Sequence, residues 1–194
     1  LRDFLRVFRA HWLGITAFVA LGLLLAFGWT LVQPKLYNAT ASGYLVTAGA
    51  TPEGAGISTA LAAEDLVKSK VTSYVQVGTL RSVADTVIED LGLDTTSERL
   101  VRNVSVVNPL DTAVLTVTAT AEDPVAARDI AEAWIHGMSA EITRLETSGG
   151  ADAMTTLTTA ASAELPDAPS SPNVRLALAL GGLVGLALGV GYSL

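Results

Sequence analysis

The sequence predicts an α+β protein in which two transmembrane helices flank one mixed α/β extracytoplasmic domain. Two uncharged runs, one near each end, are about as long as a bilayer-crossing helix needs to be. The residues between them alternate between strand-like and helix-like apolar patterns. We expect a cytoplasmic N-terminal tail at 1–9, transmembrane helices at 10–33 and 176–194, the extracytoplasmic domain at 34–165, and a proline-rich juxtamembrane segment at 166–175.

The composition excludes several functional classes. The chain has 194 residues, of which 50% are hydrophobic and only 16% are charged, which excludes a disordered chain. Its net charge of −7 argues against nucleic acid as a partner. Because the chain has no cysteine, it forms no disulfides and uses no thiolate in catalysis or zinc binding. His11 and His136 are too far apart to form a His-x-x-x-His metal pair.

The charged residues predict the orientation in the plasma membrane. Three arginines and Asp3 precede the first uncharged run, whereas nine basic and eighteen acidic residues lie between Lys35 and Arg175. The positive-inside rule therefore places the N-terminus in the cytoplasm and the central domain outside it. The first run is too long for a signal peptide. We interpret the chain as a fragment with a cytoplasmic continuation after Leu194.

The first half of the central domain is expected to be a strand followed by helices. Tyr37–Val46 alternates as a strand does. Ser58 suits the N-cap of a helix that runs to Val77, and the apolar residues after Thr79 have helical spacing up to Gly92. Thr96–Val101 reads as a short helix.

The second half is expected to contain three strands and one long helix. Asn103–Val107 and Thr112–Thr120 have strand patterns, and Met154–Glu164 leads back to the membrane. Asp123-Pro124 opens the long helix, with Asp as N-cap and Pro at the first helical position. Its predicted apolar face consists of Ala127, Ile130, Ala131, Trp134, Met138, Ile142 and Leu145. If the first and last strands pair, both ends of the domain are anchored near the bilayer.

Three prolines precede the second span. Pro166, Pro169 and Pro172 are spaced by three residues, which is one turn of polyproline II. This spacing predicts a rigid rod that fixes the domain over the span. The alternative is a stiff linker without a specific role.

The second span carries a face of small residues. Gly181, Gly185 and Gly189 recur every four residues, a spacing that lets another helix approach closely. The first span, another copy of the chain or a different membrane protein are the candidate partners. Gly22 and Ala26 form a weaker small pair on the first span. The alternative is that glycine is simply frequent in membrane helices.

No catalytic, cofactor or metal site is expected from the sequence. The acidic residues between the spans suit solvated helix faces, and none stands out as an acid/base pair. The serines lack the context of a nucleophile elbow. A phosphate-binding Gly-x-x-x-x-Gly-Lys-Ser/Thr loop is not found in the sequence.

Several short motifs follow one another in a fixed order along the chain. A basic N-terminus precedes a span, and Tyr37-Asn38-Ala39 follows it. Leu66-Val67-Lys68-Ser69 and a Val-x-x-x-Ile-x-x-Leu-Gly-Leu stretch come next. The remaining parts are the strand from Thr112 to Val117, the Asp-Pro helix start with Ile130-Ala131, and Pro169-Ser-Ser-Pro-Asn before a glycine-rich span. This ordered set resembles the Wzz-type polysaccharide co-polymerases, also called chain-length determinants.

This resemblance implies a function without catalysis in the chain itself. Members oligomerise in the plasma membrane and regulate the length or export of capsular polysaccharide, exopolysaccharide or O-antigen. Their partner is a membrane polysaccharide polymerase, and the capsule branch also has a cytoplasmic bacterial tyrosine kinase, separate or fused. A fused kinase would follow Leu194. The short central domain lacks a long helical extension, which resembles the compact Gram-positive and actinobacterial forms.

Two other functional classes share this topology. A two-span membrane sensor would bind a ligand outside the cell and signal to a cytoplasmic module. A membrane-anchored adaptor for envelope assembly is the third alternative. A histidine kinase after Leu194 would favour the sensor, and a Walker-type kinase with a tyrosine-rich tail would favour the co-polymerase.

Overall fold

The structure is a computed structural model that describes residues 2–47, 71–109, 112–148 and 155–193. It divides into two compact units. The helical unit comprises Leu1–Leu36 and Pro169–Leu194, and the central unit comprises Tyr37–Ala168.

The observed elements follow the predicted order. The helical unit contains helices α1 (Arg2–Val32) and α6 (Val174–Ser193). In the central unit the helices are α2 (residues 71–77), α3 (Arg81–Leu91), α4 (Ser97–Arg102) and α5 (Pro124–Thr147). The strands are β1 (Tyr37–Thr47), β2 (Val104–Val107), β3 (Val114–Ala121) and β4 (Thr155–Ala161). The predicted start of a helix at Ser58 lies outside the described residues, and α1 begins within the predicted N-terminal tail.

The four strands form an antiparallel sheet in the order β2-β3-β1-β4. Strand β1 pairs with β3 from Tyr37↔Ala121 to Tyr44↔Val114. On its other side it pairs with β4 from Thr47↔Thr155 to Ser42↔Ala161. The first and last strands of the central unit are therefore neighbours, so the pairing that the sequence left open is present.

One face of the sheet is buried beneath α5. Leu115, Val117 and Ala119 are fully buried, and β1 adds Ala39 and Ala41. Asp123 caps α5, because its Oδ2 accepts a hydrogen bond from the Ala126 N–H at 2.9 Å. The predicted apolar face of α5 is buried from Ala127 to Ile142.

Leu145 is the exception to this face, because 39% of it is exposed and its predicted place on the apolar face is wrong. The last turn of α5 uses Glu146 for its contact with α2. The Tyr74 hydroxyl donates a hydrogen bond to the Glu146 carboxylate. The last turn of α5 therefore has a polar contact with α2 beside the exposed Leu145.

Helix α3 completes the core beside α5. It buries Val83, Ala84 and Val87, and it ends at Gly92, whose φ of 60° is the left-handed conformation that glycine adopts readily. Trp134 of α5 is fully buried, and its Nε1–H donates to the Gly78 carbonyl at 3.0 Å. The hydrogen bond satisfies the one polar atom of this indole within the apolar core.

Candidate functional site

Helices α1 and α6 are long and apolar enough to cross a membrane. The qualifying segments are Gly14–Val32 and Val174–Tyr192, each of 19 residues. Their large side chains face outward, as Leu24 and Leu183 are 68% and 63% exposed. A soluble protein rarely leaves so much contiguous apolar surface uncovered, whereas a bilayer solvates it.

The small residues of α6 pack directly against the backbone of α1. A Cβ atom on Gly181 would lie 2.5 Å from the Ala26 Cβ and 2.6 Å from the Gly22 carbonyl oxygen. On Gly185 it would lie 2.5 Å from the Phe18 carbonyl oxygen. These separations leave no room for a side chain, so the close approach of the two helices depends on glycine.

The same contact continues one turn further along α6. A Cβ atom on Gly189 would lie 3.0 Å from the Ile15 Cα, whereas one on Gly191 would meet nothing within 4 Å. The contacts move backward along α1 as they move forward along α6, so the helices are antiparallel. The glycine face selected from the sequence thus contacts α1 of the same chain. Contact of this face with another copy or another protein stays a prediction.

The segment that follows α1 and the segment that precedes α6 are joined by hydrogen bonds. Leu36 and Ser171 form an isolated antiparallel bridge, in which the Leu36 N–H donates to the Ser171 carbonyl at 3.0 Å. The Ser170 N–H donates back to the Leu36 carbonyl at 2.8 Å. Asn173 then caps α6, because its Oδ1 accepts from the Leu176 N–H at 3.2 Å. The two ends are therefore held together by the backbone.

The three prolines are divided between the two units. Pro166 belongs to the central unit, whereas Pro169 and Pro172 belong to the helical unit. Between Pro169 and Pro172, the backbone of residues 170 and 171 is hydrogen-bonded to Leu36. The rigid polyproline II rod over residues 166–175 stays a prediction, as does the plain linker.

A groove of 480 Å³ opens between the helices near these joined ends. One face of each helix contributes to it, at intervals of three and four residues. Its lining is mainly apolar, with amides at Gln33 and Asn173. The lining residues are Ala26, Trp29, Thr30, Gln33, Ser171, Pro172, Asn173, Leu176, Ala177 and Leu180.

The second face of the sheet carries hydroxyl and amide side chains. Thr40 and Thr118 are cross-strand neighbours with their hydroxyl oxygens 3.1 Å apart, and the Thr120 hydroxyl donates to the Asn38 Oδ1 at 3.0 Å. Tyr44 lies on the same face and is 48% exposed. This face is polar and partly open, unlike the face beneath α5.

A polar cleft of 420 Å³ lies beside the first residues of β1 in the central unit. Asn38 and Thr40 form one wall of this cleft. The other wall is the end of β4, at Ala161, and the chain that follows it, which contributes Ser162, Glu164, Leu165, Pro166 and Asp167. Sequence analysis missed this cleft, because its walls are far apart in the chain and meet only through strand pairing.

The Glu141 carboxylate of α5, whose pKa is lowered, takes part in a hydrogen-bond network between α5 and α3. Glu141 is only 9% exposed, and its Oε1 and Oε2 accept hydrogen bonds from Arg144 at 2.6 and 2.8 Å. Ser82 of α3 donates to the same carboxylate at 3.1 Å. The Arg144 hydrogen bonds lower the pKa of Glu141, and they outweigh its burial. This network joins α3 to α5.

Tyr74 of α2 also has a changed pKa. Burial, together with the hydrogen bond to Glu146, raises the pKa of Tyr74 to about 12. Among the described residues, no group of three or more His, Asp or Glu side chains is arranged to hold a metal ion. His136 is exposed on α5.

Comparison with known proteins gives a relative and a matching fold, although no family model matches the chain. The capsular polysaccharide biosynthesis protein CpsC of Streptococcus pneumoniae is 25% identical over 191 residues, which cover 95% of this chain and 78% of CpsC. A solved full-length bacterial polysaccharide co-polymerase matches with a TM-score of 0.53 and 12% identity, over 100% of this chain and 96% of that chain. These findings confirm the predicted fold class and the resemblance identified from the sequence.

Proposed function

We propose that this chain, a Wzz-type protein by sequence resemblance and fold, acts as a polysaccharide co-polymerase that regulates the length or export of capsular polysaccharide or exopolysaccharide. The observation that carries the proposal is the similarity to CpsC along 95% of the chain. The co-polymerase fold, which extends over both the apolar helices and the central unit, supports it.

The proposal includes a defined topology in the plasma membrane. The N-terminus and the end of α6 lie in the cytoplasm, and the central unit lies outside it. The arginines before α1 and the net negative charge between the spans support this orientation. The antiparallel contact of α1 with α6 agrees with a chain that crosses the membrane twice.

The partners follow from the same proposal. The chain forms a homo-oligomer and works beside a membrane polysaccharide polymerase, which performs the chemistry of chain extension. A cytoplasmic bacterial tyrosine kinase, separate or fused after Leu194, regulates the assembly. The outward leucines of α1 and α6 are available for contacts between copies, since the glycine face already contacts α1.

The proposal is tested by the size distribution of the surface polysaccharide in cells with and without the gene. We expect deletion to broaden or shift the distribution, and the restored gene to return it to the original. An unchanged distribution in cells that normally express the protein would refute the proposal. It would favour the two-span sensor, because a sensor has no direct effect on polymer length.

A further inference from the structure

We infer that the cleft beside β1 is a binding site for an uncharged or amino sugar residue of the polysaccharide, an inference that rests on the proposed function. Its volume of 420 Å³ lies within the roughly 300–1,000 Å³ of small-molecule sites. That is sufficient room for a sugar residue, and the cleft is open at its surface to a longer chain.

The cleft exists because β4 pairs with β1 only from Ser42 to Thr47 and leaves the first residues of β1 unpaired on this side. Their pairing stops at Ser42↔Ala161, with an irregular register between Ser42 and Gly43. Buried Ala163 then fixes the following chain to the core. The start of β1 is therefore left without a paired strand on this side, and the chain from Ser162 to Asp167 forms the opposite wall.

Backbone groups of β1 face this opening. The Leu45 N–H donates to the Ala113 carbonyl of the chain leading into β3 at 2.9 Å, so odd-numbered residues of β1 direct their backbone toward β3. Because successive residues alternate, the N–H and C=O groups of Asn38 and Thr40 point to the cleft side. A ligand in the cleft can thus meet backbone donors and acceptors in addition to side chains.

The side chains supply the complementary groups for sugar hydroxyls. The Thr120 hydroxyl holds the Asn38 Oδ1, which leaves the Asn38 amide N–H groups as donors. The Glu164 and Asp167 carboxylates can accept hydrogen bonds from sugar hydroxyls, and such charged acceptors form the stronger hydrogen bonds. Leu165, which is 49% exposed, offers an apolar surface to the C–H groups of a sugar ring.

The charge of the cleft selects among sugars. It is lined by two carboxylates, and none of its described lining residues is Lys or Arg. An anionic sugar would place a third negative charge beside Glu164 and Asp167, and such a juxtaposition of like charges is unfavourable. An uncharged sugar avoids this repulsion, and the ammonium group of an amino sugar is attracted to the two carboxylates.

Binding of oligosaccharides to the full chain in lipid nanodiscs tests this inference. The probe is a set of fragments of one to three repeats, cut from the surface polysaccharide of the cells that carry the gene. Saturation-transfer NMR identifies the contacted sugar residue, and titration gives the affinity. We expect transfer to an uncharged or amino sugar residue, and about tenfold or greater weakening when Glu164→Gln is combined with Asp167→Asn.

The matched control changes the same number of charges elsewhere. Glu89→Gln combined with Asp90→Asn alters two exposed acids of α3, outside the cleft, and should leave the affinity unchanged. Equal affinity in the cleft variant and the wild type would overturn the inference, as would the absence of sugar binding at millimolar probe. Either result leaves the proposed function intact if deletion of the gene still changes polymer length.

A different occupant is distinguished in the same experiment. The open start of β1 could instead pair with an extended peptide, which would add a strand to the sheet. A free peptide with the sequence of β4 serves as the probe for that outcome. Binding of this peptide without binding of the oligosaccharides would overturn the sugar site in favour of strand addition.

Discussion

Replacing Gly185 by leucine should separate α1 from α6. Even the first side-chain atom at this position would lie 2.5 Å from the Phe18 carbonyl oxygen and 2.8 Å from the Val19 Cα, where ordinary contacts begin at 3.4 Å. The helices must therefore move apart by roughly 1 Å, and a gap of that size forfeits about a quarter to a half of the dispersion energy of each contact. We expect a cost of about 1–3 kcal/mol, or about 5- to 150-fold in the population of the packed pair.

Disulfide formation between the helices measures that population, because the chain has no native cysteine. Phe18→Cys with Gly189→Cys provides the reporter, since a Cβ on Gly189 would lie 3.3 Å from the Phe18 Cβ, close to the roughly 3.5–4.5 Å of disulfides. The new Cβ would also lie 3.0 Å from the Ile15 Cα, but this smaller intrusion is common to every variant that is compared. Adding Gly185→Leu should slow oxidation about fivefold or more. A disulfide within one chain gives a cross-linked peptide pair after proteolysis, while the undigested protein keeps the mass of a monomer.

The control for this experiment is Gly182→Ala, whose new Cβ would meet only the Leu23 Cδ2 at an ordinary 3.5 Å. It should oxidise at the rate of the reporter alone. Equal rates for Gly185→Leu and Gly182→Ala would refute the reasoning that glycine permits the close approach of α1 and α6.

Three further predictions concern the central unit, each measured by thermal unfolding of the full chain in detergent. Tyr74→Phe should lower the free energy of unfolding by about 1.5 kcal/mol at neutral pH, by removing the hydrogen bond to Glu146. Because the folded pKa of Tyr74 is raised to about 12, its contribution is present below the unfolded value of 10.0 and is lost as pH rises toward 12, so the variant should show a shallower alkaline decline. The folded pKa of Glu141 is lowered, so its contribution to stability is present above the unfolded value of 4.5 and is lost as pH falls through the folded value. Glu141→Gln should therefore lose less stability in acid than the wild type, and an equally steep loss would contradict this. Trp134→Phe leaves the buried Gly78 carbonyl without its donor and should cost about 2 kcal/mol or more, whereas an unchanged midpoint would exclude a stabilising role for that bond.

The helices and strands were predictable where a local pattern decides them. The alternation of Leu115, Val117 and Ala119 and the Asp123-Pro124 helix start are local signals, and the structure has both elements there. Leu145 was mispredicted, because helical spacing marks a face of α5 but does not show where along the helix the core ends. The pattern of a helix face does not identify the residues opposite it.

The functional surfaces were also predictable only in part. The repeat of Gly181, Gly185 and Gly189 marks a close-packing surface, but the repeat alone left three candidate partners. Only the three-dimensional contact with Phe18 and Ile15 identifies α1. The proline spacing gives no sign that Leu36 bonds to the backbone of residues 170 and 171, because these residues lie far from Leu36 in the chain. The cleft was unpredictable, since it depends on where β4 leaves β1.

The most direct test of the central claim is the modal length of the surface polysaccharide in a deletion strain that carries defined variants. The account predicts that the wild-type gene and Gly182→Ala both restore the original length distribution, whereas the empty strain and Gly185→Leu give a broadened or shifted one at equal protein levels. The same length distribution in the parent and the empty strain, with the protein shown to be expressed in the parent, would contradict the account.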